Sequence, residues 1–160
     1  MKLTKFQKIL LVSVALVVFF GFMDSLGFQM FSQVGGYSGQ VYNSIFDSWM
    51  GFFWTFAFAL ILVVALVYYL LKKDKSEALA LITTPVLLVL GGLEDISYYI
   101  FTGHPYWGTE MPWLWNNFFM RTIAQIMGKD TITDITLIVS VGVSIGLAYF
   151  IYKKLERARW

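Results

Sequence analysis

Four long runs of apolar residues, separated by shorter polar segments, organise the chain. They cover about residues 6–23, 51–71, 78–101 and 133–152, each close to the roughly 20 residues needed to cross a hydrocarbon core. The first run can continue as helix to about Phe31. Lipid offers the backbone no hydrogen-bond partner, so each run is predicted to be helical. Pro85, in the middle of the third run, is expected to kink that helix or to free a carbonyl that Thr84 or another helix satisfies. The fold class expected is an all-α membrane protein: a four-transmembrane-helix bundle forming one domain over residues 1–160.

The polar segments are unequal. Between the second and third runs, KKDKSE is long enough only to join antiparallel neighbours. The connection after the first run is glycine-rich and then aromatic, whereas the one before the fourth run, TGHPYWGTEMPWLWNN and onward, is too apolar to be a solvated loop. Its Tyr106, Trp107, Trp113 and Trp115 suit an interfacial aromatic belt. Residues 117–128 then predict a short amphipathic helix capped by Asn116 or Asn117. Phe118, Phe119, Ile123 and Met127 form its apolar side, with Arg121, Thr122 and Gln125 polar and Gly128 and Lys129 ending it. It is expected to lie flat as an interfacial lid over the bundle.

Composition agrees with the spans. The chain is 58% hydrophobic and 14% charged with a mean hydropathy of +0.67, outside the range of soluble domains. With no cysteine and a single histidine, His104, haem, iron–sulfur and cysteine–zinc sites are not expected. The basic residues sit in clusters at the ends of apolar runs and form no nucleic-acid-binding face, so nucleic acid is not an expected partner.

Those clusters orient the protein. Lys2, Lys5 and Lys8 precede the first run, Lys72, Lys73 and Lys75 fill the tight turn, and Lys153, Lys154, Arg157 and Arg159 follow the fourth run. An even number of spans puts all ten on one side, which the positive-inside rule makes cytoplasmic together with both termini. The first run is followed by no small-x-small cleavage site and is expected to be an uncleaved anchor. The acids are distributed the other way. Only Asp74, Glu77 and Glu156 share the basic end, while Asp24, Asp47, Glu94, Asp95, Glu110, Asp130 and Asp134 belong to the outer half.

Within that half, Glu94 and Asp95 are adjacent inside an apolar run, where ionisable groups are costly and mark ligand or ion sites. Read as one helix, residues 78–101 place Thr84, Gly91, Tyr98 and Tyr99 on the same stripe as Asp95. With Asp24 and Trp54, and with His104 and Arg121 from the loop, these residues form a candidate ligand site, Arg121 serving as counter-charge. Phe52, Phe53 and Phe56 would add aromatic walls. A metal site of Glu94, Asp95 and His104 is a weaker possibility, because the spacing matches no tight motif.

The expected function is that of a small binding or accessory membrane protein holding a cation, an amphipathic ligand or a partner helix in this acidic, aromatic pocket. One alternative is an enzyme using Glu94 and Asp95 as acid and base, or as metal ligands, on a lipid-phase substrate. Another is a subunit of an oligomeric transporter or channel. Membrane lipid is an expected partner, and Ser140, Gly142, Ser144 and Gly146 would let the fourth helix approach a second copy or another membrane protein.

Overall fold

The structure, a computed structural model, describes residues 3–33, 39–103 and 110–158, without the side chains of residues 31–47 and 113. It is built from helices: α1 (Lys5–Gln33), α2 (Gly39–Lys72), α3 (Lys75–Leu90), α4 (Leu93–Thr102), α5 (Phe118–Ile126) and α6 (Asp134–Ala158). A short 3₁₀ helix, Pro112–Asn116, precedes α5. No strand occurs among the described residues. A single antiparallel bridge pairs Glu110 with Thr133, and with the Met111 amide donating to the Ile132 carbonyl at 2.8 Å it closes the loop that carries α5.

Three stretches, Lys5–Met30, Ser48–Lys72 and Asp134–Ala158, are long and apolar enough to cross a membrane. The helices α3 and α4 reach that length only together, and they are bent by 61° at the break between them. Leu62, Leu66 and Leu70 follow one another along a single face of α2, each more than half exposed. Such a surface belongs against lipid tails rather than water.

Two helices start or stop far from where the apolar runs do. The second begins at Gly39, twelve residues before the expected start at Gly51, because VYNSIFDSWM contains neither proline nor glycine to interrupt it. The third span is not one helix. Pro85 is accommodated inside α3, and the break falls instead at Gly91 and Gly92. Gly92 has a φ of 89°, a left-handed conformation that only glycine adopts without strain. Proline removes one hydrogen bond, but the αL turn redirects the whole chain.

Neighbours hold that turn in place. Gly91 lies against α6, where a methyl group would collide with the Ser144 hydroxyl. Asn117 accepts from the amides of Phe119 and Met120 as the N-cap of α5, and its side-chain amide donates to the Leu90 carbonyl at 3.2 Å. One residue therefore caps the start of α5 and the cut end of α3. The face of α5 turned inward is Met120 and Ala124, packed with Met111, Ile132 and Leu137. The expected apolar side is accordingly corrected: Phe118 is 72% exposed. Trp115, assigned above to an interfacial belt, packs on this same cluster.

The main core joins Val17 and Phe20 of α1, Phe53, Ala57 and Ile61 of α2, and Leu88 of α3. At the basic end a second cluster contains Ile9, Ala65, Ala80, Leu81 and Tyr152. Along its length α1 lies first on α3 and then on α4, while α6 covers another side of α3. Ser140 and Ser144 of α6 are buried, but Gly142 and Gly146 face outward with nothing near them. The four small residues thus split between two faces of the helix.

The α1–α4 crossing is the closest backbone approach at the end of the bundle away from the lysine clusters. A Cβ on Gly21 would lie 2.7 Å from the Glu94 carbonyl oxygen and 2.9 Å from the Tyr98 amide nitrogen. Backbone cannot swing aside as a side chain does. Gly21→Val is expected to lower stability by about 1–3 kcal/mol through overpacking, read as a drop in the thermal unfolding midpoint in detergent. Gly142→Val, on the open face of α6, is expected to leave the midpoint unchanged.

Candidate functional site

The acidic cluster forms where α1 crosses the first turn of α4. Gly21 lets the two backbones meet, so Asp24, one turn further along α1, comes within electrostatic range of both Glu94 and Asp95. The break at Gly92 also makes Glu94 and Asp95 first-turn residues of a new helix, whose free amides and dipole favour negative charge. Without that break both acids would lie mid-helix. Glu94 is 6% exposed, and its Oε1 atom has no hydrogen-bond partner among the described residues. Asp95 is half-buried.

Aromatic side chains border the cluster on one side. The Trp49 indole lies over Gly27 and beside Asp24. Tyr98 meets the Phe28 ring edge-on at 5.9 Å and the Tyr99 ring at 5.5 Å, and Phe22 packs on Phe101 at 5.1 Å. Of the expected walls, Phe53 enters the main core and Phe52 and Phe56 stack on each other facing outward. Trp54 packs on Phe53 and Phe58 of its own helix. Trp49 takes the position that had been assigned to it.

Other parts of the expected site are also redistributed. Thr84 is buried on α3, but the 61° bend ends any common stripe with Asp95. Arg121 makes no ion pair among the described residues; its guanidinium lies 5.9 Å from the Phe118 ring centre. Asp134 is buried in the first turn of α6, where its Oδ1 accepts from the Ile135 amide at 2.8 Å. His104, with Tyr106 and Trp107, lies outside the described residues, as do the side chains of Asp47 and Trp113. Among the described residues no three acidic or histidine side chains gather closely enough to hold a metal ion.

A second polar cluster, at the opposite end, was not anticipated. Glu77, assigned above only to the basic end, is 6% exposed. It accepts a short hydrogen bond from the Tyr68 hydroxyl and an ion pair from Lys5. Lys5 also reaches Asp74 at 3.3 Å, and Asp74 caps α3 by accepting from the Glu77 amide at 3.0 Å. The spacing Asp-x-x-Glu is a capping-box signature that marks this helix start in the sequence. What it does not reveal is that Glu77 turns away from the cap to meet α1 and α2. Ser76 adds a hydrogen bond to the Leu155 carbonyl at 3.0 Å, and Phe6 packs on Tyr149 and Tyr152. The start of α1, the α2–α3 turn and the end of α6 therefore share one end of the bundle.

Comparison with known protein families, curated proteins and solved structures finds no match to this chain.

Two outcomes follow for the basic end. The Glu77 amide, with Lys5 beside it, holds the Asp74 carboxyl below its usual range. A group with a lowered folded value contributes stability above its unfolded value of about 3.9 and loses it as pH falls through the folded one. The unfolding midpoint is therefore expected to fall less steeply with acid in Asp74→Ala than in the unaltered protein below about pH 4. In a double-mutant cycle, Lys5→Met and Glu77→Gln are expected to show a coupling on the order of 1 kcal/mol, the upper range for a pair with one exposed partner.

Proposed function

We propose that the chain is a four-span integral membrane protein, with α3 and α4 forming one broken span, α5 lying at the outer interface and both described ends on the cytoplasmic side. The acidic cluster of Asp24, Glu94 and Asp95 holds a cationic group there, carried by an amphipathic ligand or by a partner helix. The observation behind this reading is the buried, unpartnered Glu94 oxygen set beside two further carboxylates. A buried acceptor left unsatisfied costs about 1–3 kcal/mol and more when charged, and an incoming cation with N–H or alkylammonium character offsets that cost.

The surroundings fit such a guest. Phe28, Tyr98 and Trp49 offer ring faces and edges to an alkylammonium or its apolar tail. The break at Gly92 also places irregular backbone beside the acids, which an apolar medium tolerates only where it is buried in protein or lines a cavity.

The test uses purified full-length protein in a neutral detergent. Dodecyltrimethylammonium is expected to raise the unfolding midpoint, by mass action on the folded state, where dodecanol does not. In Glu94→Gln the empty protein is expected to unfold at a higher temperature than the unaltered one, because a buried like-charge contact is removed. Its response to the cation is expected to vanish, and Asp95→Asn is expected to weaken it. An equal response to dodecanol, or an undiminished response in both variants, refutes the cation site.

A further inference from the structure

At the basic end α1 and α2 touch only lightly and leave a groove of about 680 Å³ between them. Its walls are apolar: Val12 on α1 and Val63 and Val67 on α2, each about half exposed and opening sideways from the bundle. Its mouth is cationic. Lys5 is committed to Asp74 and Glu77, whereas Lys8 and Lys72, which also line the groove, make no ion pair among the described residues. An apolar trough with two unpaired ammonium groups at one end matches a molecule with an anionic head and a hydrocarbon tail.

We infer that this groove binds an anionic phospholipid of the adjacent leaflet, one acyl chain lying between α1 and α2 and the headgroup phosphate bridging Lys8 and Lys72. The site rests on the chain's being a membrane protein but is independent of the acidic cluster at the other end. Charge complementarity selects this occupant over a second copy of the chain. A symmetric pairing of two such grooves would bring Lys8 and Lys72 of both copies together, a like-charge contact. A zwitterionic lipid fits the trough but leaves the two ammonium groups without a net counter-charge, so the preference for an anionic head is the signature of the site.

The same cluster that buries Glu77 shapes the groove. Tyr68, Asp74 and Glu77 contribute to its lining, and Lys5 offsets one of the two acid charges, so the lining keeps a net charge of +1 with Lys8 and Lys72. Asp74 and Glu77 are tied to Lys5, whereas Lys8 and Lys72 carry no ion pair among the described residues and supply the excess positive charge.

The experiment is native mass spectrometry of the full chain released from nanodiscs of mixed phosphatidylglycerol and phosphatidylcholine. One phosphatidylglycerol molecule is expected to stay bound in preference to phosphatidylcholine, and each of Lys8→Gln and Lys72→Gln is expected to reduce that preference about fivefold. Val63→Trp or Val67→Trp, which fill the trough from α2, are expected to expel both lipids while the helical circular dichroism is kept. Glu94→Gln is expected to leave lipid retention unchanged. Equal retention of the two lipids, a preference that survives the double lysine variant, displacement by millimolar inorganic phosphate, or release as a dimer without lipid would each overturn the assignment.

Discussion

A helix cut inside a bundle exposes carbonyl and amide groups that an apolar medium cannot satisfy. The acidic half of this protein is arranged around one such cut, between Leu90 and Leu93. Gly92 makes the turn possible through its left-handed backbone, Asn117 supplies a donor to the Leu90 carbonyl, and Leu137 and Met120 close over the glycine. The short helix α5 is thus part of the repair, since its own N-cap residue is the one that reaches across. The redirected α4 then meets α1 at Gly21, and that crossing brings Asp24 to the acids that open α4.

The two ends of the bundle treat buried acid in opposite ways. Glu77 is enclosed by partners from two other helices, the Tyr68 hydroxyl and the Lys5 ammonium, with the Asp74 cap orienting its own turn. Glu94 is enclosed by like charge and aromatic rings, with one oxygen unpartnered among the described residues. The first arrangement is what stability alone produces. The second is costly for the empty fold, and cost of this kind collects where a protein binds something.

The four apolar runs could be read directly because their length and composition admit no other structure in lipid, and the capping signal at Asn117 located α5 to within a residue or two. Two kinds of information were not local. Choosing between Pro85 and Gly91–Gly92 as the site of the break depended on which neighbours fill the gap, and those are Asn117 and Ser144, far away in sequence. Sorting Glu77 from Asp74 depended on Lys5 and Tyr68 for the same reason. The acidic pair was visible as an anomaly in an apolar run. Its true companions were only partly legible: Asp24 belongs with it through the Gly21 crossing, whereas Arg121 and Trp54 are held elsewhere by their own aromatic neighbours.

The packing of α4 on α1 rather than on α3 has a consequence for how the protein is assembled. These helices lie at opposite ends of the first hundred residues, so their contact closes a long loop and forms only after α4 has been made. Helix insertion and helix association are separable events in lipid. Asp24 is therefore made well before its acidic neighbours, and the cluster comes into being only when α4 has joined α1. The cluster is a product of helix association, and a chain stalled before α4 would hold Asp24 without it.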